Sequence, residues 1–501
     1  MIDLGSNSIK IANFVINPDN TYKAYHQEGI RVKLGDGLSQ TGFLGEEAIE
    51  RALRALKLFK DVIETQGIKH ILPVATSAVR ESANRTAFLN LVKKETALRF
   101  RILSEKEEAL FSYVGAIRAL RLPSVLFFDI GGGSLEIVHA HNFKIKKIMS
   151  LPLGALRLTQ MYSEDGIFKQ KEYEKMRERV LDLIPTRNEL GLTEDTVLVG
   201  VGGTLRAIAK YHQSIVDYPL NKVHNYTISQ ADIQEIDSTF RSLTPQKIVK
   251  LGPINSGRAE TIIAGSCVIN LLMKNLKFNM ITVSAQGLRE GTLSLSLAFP
   301  KEFSSGNMFD VELVKESIRY ACEPDILPQT IEDMVRLMIS INQMSERERV
   351  ILAQTFRQAT KVSSFRNLDN LLPIIMDEDS SLTHREQLIT VVSLIHSIKK
   401  KKAQKIFSEY DDMLHANDSK LIKKISIFVL LADILEKTGT KLKLRHKDNR
   451  LKIKLYPSKN NFPNVLFEEI CKKIDEIFGI HVEYSILYDA VEYLERKPIR
   501  A

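Results

Sequence analysis

One short pattern, an aspartate followed by a glycine turn and a serine, occurs twice in the first 140 residues. It reads D-L-G-S-N-S at residues 3–8 and D-I-G-G-G-S at residues 129–134, each time between an apolar run and an alternating one. This arrangement predicts a strand, a tight turn and a second strand, with the carboxylate at the end of the first strand. Glycine lets backbone N–H groups approach an anion closely. Two copies therefore predict an internal duplication, in which two lobes present matching turns across a cleft to phosphate and a hard cation.

A third glycine turn, at Gly202-Gly203-Thr204, follows the buried-strand pattern VLVGV and precedes a helical pattern. The free N–H groups and the dipole at the start of a helix favour an anion. By itself this turn is weak evidence, but it adds a third element that could bind phosphate.

The elements that must position these turns follow from the periodicity of the chain. Short β-rich runs alternate with helical patterns up to residue 300, with a helix at 45–66 and a strand ending near Thr76. This alternation is typical of an α/β domain. The stretch at 299–307 has linker composition, and helices are predicted beyond it at 311–320, 331–340, 346–361, 385–402 and 420–437. The last residues predict a hairpin turning at Asp448-Asn449, a helix at 463–478 and a strand at 481–487.

Composition places the chain among globular proteins, with 501 residues of which 44% are apolar and 26% charged. No run approaches the roughly 18 apolar residues that span a bilayer, and no signal peptide is evident, so a cytoplasmic location is expected. The three cysteines, Cys267, Cys322 and Cys471, are widely spaced, which argues against disulfides and structural zinc.

The formal net charge of +9 suggests a polyanionic partner. Two local basic runs, at 399–405 and 441–454, contribute to it. For each run taken alone a solvated surface is the simpler interpretation, and neither has the aromatic interleaving of a nucleic-acid module.

Eight motifs together resemble the exopolyphosphatase / guanosine pentaphosphate phosphohydrolase family, a branch of the actin-like ATPase superfamily. In chain order they are MIDLGSNSIKI, TSAVRESANR, SEKEEALFSYVGA, FFDIGGGSLEIV, LPLGALRLT, VGVGGTLRAIA, GRAETIIAG and QGLREGTL. The resemblance covers residues 1 to about 300, and the helical remainder is similar to the long members of the family in layout.

The resemblance implies an α/β fold with two actin-like, ribonuclease H-like lobes at 1–118 and 119–299. A helical domain similar to the His-Asp metal phosphohydrolase fold would follow at 300–437, and a small α/β domain at 438–501. The implied activity is Mg²⁺-dependent release of terminal phosphate from inorganic polyphosphate, conversion of guanosine pentaphosphate to the tetraphosphate, or both. A homodimer is expected, with no specific nucleic acid and no membrane partner.

The family motifs also imply roles for residues. The magnesium ligands would be Asp3, Asp129 and Glu136, since Mg²⁺ is typically held by a few carboxylates plus substrate oxygens. Arg80 is a candidate phosphate clamp near the catalytic centre. The remaining phosphate-binding candidates are Ser6, Asn7, Ser8, Gly131, Gly132, Gly133, Ser134, Gly202, Gly203, Thr204 and, on weaker grounds, Arg258. Arg157 is a candidate on the same weaker grounds as Arg258, because surface or interdomain salt bridges explain both about as well, and Arg206 and Arg289 are expected to be structural.

Two adjacent glutamates compete for the role of water-activating residue. Ser104 and Glu107 have the spacing of a capping box, which gives Glu107 a structural role. Glu108 lies off the apolar stripe of its helix, and the family motif selects the same position. Glu108 is therefore assigned as the base or water positioner, with Glu107 in reserve.

Two features depart from the family pattern. Only Met1 and Ile2 precede Asp3, so the first strand is expected to be short. No His-Asp dipeptide occurs in the chain, so His384, His396 and His415 are not expected to bind a second metal. Two alternatives remain open: a regulator that binds guanosine phosphates or polyphosphate without turnover, and, less favoured, an actin-like kinase or ATPase.

Overall fold

The computed structural model describes residues 1–17, 22–305, 311–321, 327–362, 368–458 and 462–488. Contacts divide the chain into two units, Met1–Cys322 with Asp379–Ser381, and Glu323–Glu378 with Leu382–Ala501. Unit 1 thus contains both predicted lobes and continues past residue 299, and the four-domain division stays a prediction. Among the described residues, no helix is both long enough and apolar enough to cross a membrane.

The first lobe of unit 1 is built on a five-stranded sheet. Its strands are β1 (Ile2–Leu4), β2 (Ser8–Ile16), β3 (Tyr22–Arg31), β4 (Pro73–Ala75) and β5 (Arg101–Ile102). Its helices are α1 (Leu38–Thr41), α2 (Glu46–Thr65), α3 (Ser77–Glu81), α4 (Arg85–Thr96) and α5 (Glu105–Leu120). Strand β1 is short, as expected, yet it lies at the centre of the sheet, antiparallel to β2 and parallel to β4.

The second lobe is built on a six-stranded sheet. Its strands are β6 (Val125–Ile130), β7 (Leu135–His141), β8 (Lys144–Leu151), β9 (Val197–Val201), β10 (Tyr226–Ser229) and β11 (Met280–Val283). Its helices are α6 (Ala155–Tyr162), α7 (Gln170–Leu183), α8 (Arg187–Leu190), α9 (Gly203–Ile215), α10 (Gln230–Arg241), α11 (Pro245–Val249), α12 (Ser256–Asn275) and α13 (Leu288–Ala298).

The two sheets share one topology. The strand order is β3-β2-β1-β4-β5 in the first and β8-β7-β6-β9-β11-β10 in the second. In both, the first three strands in the chain are antiparallel and the next strand joins parallel to the first. This agreement confirms the predicted duplication, with β10 as an additional edge strand.

Helices α5 and α13 pack together, and α5 also packs on the second sheet although it ends the first lobe in the sequence. Glycines make this contact possible. A Cβ atom added to Gly115 would lie 2.0 Å from the carbonyl oxygen of Gly287, and one added to Gly291 would lie 1.7 Å from that of Phe111. Buried residues of both helices and both sheets form one apolar cluster. The helix that carries Glu108 is therefore fixed by both lobes.

The predicted linker at 299–307 is wrong over its described part. Helix α14 (Pro300–Ser305) packs Phe303 against Phe111 with ring centroids 6.4 Å apart, and its Phe303 carbonyl accepts a hydrogen bond from Arg101 at 2.8 Å. Helix α15 (Val311–Ala321) buries Val314 and Ile318 in the same cluster as α5. Apolar residues within the polar stretch thus attach both helices to unit 1.

Unit 2 begins with helices and ends with a small sheet. The helices are α16 (Gln329–Ser340), α17 (Glu346–Val362), α18 (Leu371–Asp377), α19 (His384–Ile398), α20 (Lys400–Glu409) and α21 (Asp418–Thr438), with a 3₁₀ turn at Leu368–Asn370. The helix predicted at 385–402 is interrupted, because Lys399 adopts φ −144° and ψ 86° between α19 and α20. The other predicted helices agree with the structure to within two residues.

The end of unit 2 contains two strands, a helix and a third strand. It contains β12 (Lys441–Lys447), β13 (Arg450–Tyr456), α22 (Asn464–Phe478) and β14 (His481–Ile486). The hairpin turns at Asp448 and Asn449, whose φ values of 50° and 59° suit a tight hairpin turn. Strand β14 pairs parallel to β13, so the sheet order is β12-β13-β14.

Candidate active site

The two repeated turns have the same backbone geometry. The N–H of Gly5 donates to the carbonyl oxygen of Ser8 at 3.2 Å, and the N–H of Gly131 donates to that of Ser134 at 3.0 Å. In the strand register, Asp3 lies opposite Lys10 in the first lobe and Asp129 lies opposite Glu136 in the second. The strands that follow the two turns thus carry, at equivalent positions, an ammonium group in the first lobe and a carboxylate in the second.

The turns approach each other closely where the lobes meet. The hydroxyl oxygens of Ser6 and Ser77 are 2.8 Å apart, and a Cβ atom on Gly133 would lie 2.4 Å from the Ser77 hydroxyl oxygen. A Cβ atom on Gly132 would lie 3.2 Å from that of Ser6. The second turn must therefore be glycine-rich to meet the first. The side-chain oxygen of Asn7 is buried there, without a hydrogen-bond partner among the described residues.

A polar cleft lies between the turns, with a volume of about 850 Å³ that includes its open mouth. The sequence-predicted site residues that line it are Asp3, Ser6, Asn7, Ser8, Glu108, Asp129, Gly131, Gly132, Gly133, Ser134, Glu136, Gly202, Gly203 and Arg258. Residues that are far apart in the sequence thus share one cleft. Arg80 and Thr204 are not among the lining residues.

The third turn is built differently from its prediction. Gly202 has φ 111°, and a Cβ atom there would lie 2.6 Å from the carbonyl oxygen of Ile130. Thr204 is fully buried, and its hydroxyl accepts a hydrogen bond from Arg258 at 3.2 Å. Thr204 thus contacts Arg258 beside the cleft but does not itself line it, and its predicted contact with phosphate stays a prediction.

The carboxylates of the cleft lie in a low-dielectric environment. Burial raises the pKa of Asp129, although Ser112 donates a hydrogen bond to it at 2.7 Å. Burial, and then the charges of Glu108 and Asp129, raise the pKa of Glu136 well above its usual value. Asp3 has a nearby cation, since Lys10 Nζ is 3.6 Å from its Oδ2. Burial therefore disfavours the ionised forms of Asp129 and Glu136.

Glu108 stands in the first turn of α5 and is held by Arg80. Arg80 Nη1 donates to Glu108 Oε2 at 2.8 Å and to the carbonyl oxygen of Leu103 at 2.9 Å. Burial raises the pKa of Glu108 to about 7, and the charge of Arg80 opposes that rise. A carboxylate with a pKa near neutrality suits general base catalysis. Arg80 holds this carboxylate in place, whereas the sequence analysis predicted that Arg80 contacts phosphate.

Glu107 has the structural role that its spacing predicted. It forms the capping box with Ser104 and accepts a hydrogen bond from Arg101 at 2.6 Å. The guanidinium of Arg101 lies over the ring of Phe303, 5.1 Å from its centroid. These contacts give Glu107 a structural role. Of the two adjacent glutamates, Glu108 is therefore the one that lines the cleft.

Comparison with known proteins assigns this architecture. The model of the Ppx/GppA phosphatase family matches residues 18–298, which is more than half of the chain. The chain belongs to the Ppx/GppA phosphatase family.

Individual relatives agree with this assignment. The chain is 30% identical over 302 residues to a bifunctional 3-dehydroquinate synthase/phosphatase of Fusobacterium nucleatum, a match that covers 56% of this chain and 44% of that protein. It is 28% identical over 315 residues to exopolyphosphatase 2 of Mycobacterium tuberculosis, covering 59% of this chain and 97% of that protein. The crystal structure of an exopolyphosphatase from Cytophaga hutchinsonii superposes with a TM-score of 0.56 at 25% identity, covering 59% of this chain and 96% of that one.

The structure adds three cations that sequence reasoning missed in this Ppx/GppA phosphatase cleft. Lys10, Arg206 and Arg289 all line it, a position that was not predicted for either arginine. Burial lowers the pKa of Lys10 and of Arg206. The repeated pattern could have identified Lys10, because Lys10 follows the first turn at the position that Glu136 occupies after the second turn.

Arg157 has the alternative role considered for it. It forms an ion pair with Glu81, which joins the two lobes. Close by, Gln160 of the second lobe donates a hydrogen bond to Asp36 of the first at 2.6 Å. Arg157 therefore connects the lobes rather than binding phosphate at the carboxylates.

The donor set of the cleft fits magnesium. Carboxylate oxygens are the ligands that this cation prefers, and a dication would stabilise the ionised forms of Asp129 and Glu136, whose pKa values burial raises. Among the described residues, no three His, Cys, Asp or Glu side chains form a ready-made metal cluster. Mg²⁺ commonly completes its coordination with water and substrate phosphate oxygens, so such a cluster is not required.

Proposed function

We propose that the protein is a Mg²⁺-dependent phosphohydrolase that cleaves terminal phosphoanhydride bonds, releasing orthophosphate from inorganic polyphosphate, from guanosine pentaphosphate, or from both. The observation that carries the proposal is that Glu108, held by Arg80, shares one cleft with the two equivalent glycine turns. Membership of the Ppx/GppA phosphatase family and similarity to two exopolyphosphatases support this reaction class.

The proposed mechanism assigns distinct tasks to the residues of the cleft. In its ionised form Glu108 accepts a proton from the attacking water. One hydrogen bond from Arg80 fixes the position of the Glu108 carboxylate, and a second, to the Leu103 carbonyl oxygen, anchors the guanidinium. Backbone N–H groups of the glycine turns, with Asn7, orient the phosphates. Lys10, Arg206, Arg258 and Arg289 offset their charge. Asp3, Asp129 and Glu136 would hold magnesium, which supplies electrostatic stabilisation of the transferred phosphoryl group when bound.

The first test measures phosphate release from long-chain polyphosphate and from guanosine pentaphosphate, with magnesium and with a chelator. Glu108→Gln removes the base, whereas Glu105→Gln changes an exposed glutamate in the same helical turn. We expect release to require the cation and to fall by about 10²- to 10⁴-fold in Glu108→Gln only, the range typical of a lost general base.

The same experiment separates the alternatives. Binding without release by the wild type, with any divalent cation, would favour a regulator of guanosine phosphates or polyphosphate. Transfer of phosphate from ATP to a hydroxyl acceptor would favour an actin-like kinase. Equal activity of Glu108→Gln and Glu105→Gln would contradict the assigned base.

We further propose that the protein acts as a homodimer. Sedimentation of the full chain tests that state, and a monomer at the concentrations used for activity would contradict it. We also propose that helices α16–α21 are related to the His-Asp metal phosphohydrolase fold but have lost its metal function.

A further inference from the structure

A second cavity lies beside the catalytic cleft, between the two lobes of unit 1. Its volume is about 280 Å³, with its open mouth included. Helices α1 and α3 of the first lobe and the start of α6 in the second contribute to it. We call it the side cavity, and the residues that line it without lining the cleft include Ser39, Glu81, Arg157 and Gln160.

The wall that the side cavity shares with the cleft is made of small residues. Ser6, Ser77, Gly132 and Gly133 line both spaces, and none of them is larger than serine. The hydroxyl oxygens of the two serines are 2.8 Å apart. A hydroxyl group both donates and accepts hydrogen bonds and can rotate, so a phosphate oxygen at the wall can replace the contact between the serines. The wall therefore offers hydrogen-bond donors to an anion that crosses it.

Helix α3 connects this wall with the catalytic base. Ser77 begins the helix, Arg80 holds Glu108, and Glu81 at the end of the helix lines the side cavity. Five helical residues span only about 7.5 Å. Orthophosphate that is formed beside Glu108 therefore lies next to the shared wall.

Two polar contacts between the lobes lie at the rim of the side cavity. Arg157 forms an ion pair with Glu81, and Gln160 donates a hydrogen bond to Asp36 at 2.6 Å. Both contacts are at the surface. Surface ion pairs are weak, and exposed side chains change rotamer within nanoseconds. The rim can therefore open without separation of the lobes.

Hydrolysis of a long polyphosphate creates a need for a separate route. Each cleavage yields orthophosphate next to Glu108 while the shortened chain still occupies the cleft. The chain obstructs the open mouth of the cleft, and its charge repels the product. The orthophosphate must leave before the chain can advance by one phosphate.

We propose that orthophosphate leaves the catalytic cleft through the side cavity, across the shared wall and past the ion pair of Arg157 and Glu81. This inference rests on the proposed function, because it names the route taken by the product of that reaction. Arg157 attracts the anion from the wall, and Glu81 offsets the charge of Arg157 so that the product is not retained. Tripolyphosphate does not need the route, since the pyrophosphate that remains has few contacts and vacates the mouth of the cleft.

The test obstructs the side cavity from its exposed edge. Ser39 on α1 is exposed and lines the side cavity, whereas its neighbour Gln40 is exposed and does not line it. Ser39→Trp therefore blocks the route, and Gln40→Trp is the matched control. Neither residue lines the catalytic cleft. Thermal unfolding checks that both variants fold, and if Ser39→Trp does not, Ser39→Leu is measured instead.

Formation and release of phosphate are measured separately, with long-chain polyphosphate and magnesium. Acid quenching reports all phosphate formed, and a fluorescent phosphate-binding protein reports the phosphate set free. We expect Ser39→Trp to form phosphate at the wild-type rate in the first turnover but to release it about threefold more slowly or worse, which lowers kcat once release limits turnover. With tripolyphosphate both rates should equal those of the wild type. Gln40→Trp should match the wild type with both substrates.

Charge variants test the ion pair itself. Glu81→Gln leaves Arg157 without its counter-charge, so we expect orthophosphate to inhibit hydrolysis about two- to fivefold more strongly, the value of one surface ion pair. Arg157→Gln should weaken inhibition by orthophosphate. Glu95→Gln breaks another surface ion pair of the first lobe, with Lys57, and should leave the inhibition unchanged.

Several outcomes would overturn the proposal. Equal release from long chains by Ser39→Trp and Gln40→Trp would exclude the side cavity as the route, and equal slowing with tripolyphosphate would show that the substitution disturbs the cleft. A change of inhibition in the same direction in Glu81→Gln and Arg157→Gln would show that the ion pair only holds the lobes together. A wild type that hydrolyses neither proposed substrate would refute the proposed function and the route together, whereas hydrolysis that Ser39→Trp leaves unaffected refutes the route alone.

Discussion

The contact between Glu108 and Arg80 affects the pH at which the Glu108 carboxyl group ionises. Burial raises the pKa of Glu108 to about 7, and Arg80 acts in the opposite direction by favouring the carboxylate form. A general base must be ionised, so activity should rise with pH through the pKa of Glu108.

Replacing Arg80 should therefore move the acidic limb of the pH profile to higher pH. Arg80→Met removes both the charge and the hydrogen bond, and we expect a shift of about one pH unit or more in kcat/KM. Arg80→Lys retains the charge and should shift the limb less. Measuring kcat/KM between pH 5.5 and 9 checks this, and an unmoved limb in Arg80→Met would contradict the coupling of the two residues.

Lys10 supplies a second prediction at this scale, since it is the cationic counterpart of Glu136 in the duplicated register. Lys10→Met keeps the length of the side chain but loses the charge. We expect kcat/KM to fall by about 10- to 100-fold, the value of one charged hydrogen bond, and Lys10→Arg to recover most of it. Lys57→Met, which removes an exposed lysine paired with Glu95, serves as the control. Equal activity of Lys10→Met and Lys57→Met would exclude a role for Lys10 in binding phosphate.

The sequence placed the short side chains of the cleft correctly because each sits on the backbone of a repeated turn. Asp3 and Asp129 end their strands at the same point, so their location follows from the local pattern. Arg206 and Arg289 have long side chains on helices, and their direction depends on how α9 and α13 pack. No local pattern contains that information, so their position in the cleft was not predicted.

At the scale of elements, the contact between α5 and α13 controls where Glu108 lies. Gly291→Ala would place a Cβ atom 1.7 Å from the Phe111 carbonyl oxygen, which belongs to rigid helical backbone. We expect the variant to lose about 1–3 kcal/mol of stability or more, the usual cost of overpacking. Thermal unfolding measures the loss. Gly29→Ala is the control, because its added Cβ would make only an ordinary contact at 3.5 Å from Lys10. A Tm like that of the wild type in Gly291→Ala would mean that the two helices can separate freely.

The predicted element boundaries are wrong where tertiary contacts override local composition. The polar stretch after residue 299 folds as α14 because the ring of Phe303 packs against the ring of Phe111 and the guanidinium of Arg101. The helical pattern at 385–402 continues through Lys399 in the sequence, yet the chain turns there so that α20 can pack back on α19. The strands and the central helices were predictable since their apolar periodicity alone defines the buried side.

At the scale of the whole molecule, ion pairs tie the two lobes of unit 1 together. Glu260 on α12 accepts hydrogen bonds from Arg31 at 3.1 and 2.5 Å, and Lys33 Nζ lies 2.7 Å from it. Burial alone would raise the pKa of Glu260, but the hydrogen bonds and charges of Arg31 and Lys33 outweigh it and lower the pKa. This contact between the lobes is therefore linked to the ionised form of one carboxylate.

The last prediction follows from the sign of that shift. A carboxyl group whose pKa is lower in the folded state stabilises the protein above its unfolded pKa of about 4.3, and this contribution is lost as the pH falls through the folded pKa. Glu260→Gln should thus have a lower Tm than the wild type at pH 7, and the difference should shrink as the pH falls below about 4.5. Glu105→Gln, an exposed change of the same kind, should show a smaller difference at pH 7. A Tm difference for Glu260→Gln that stays constant from pH 7 to pH 3 would show that the side chain acts by packing, and that the lobes are held together without its charge.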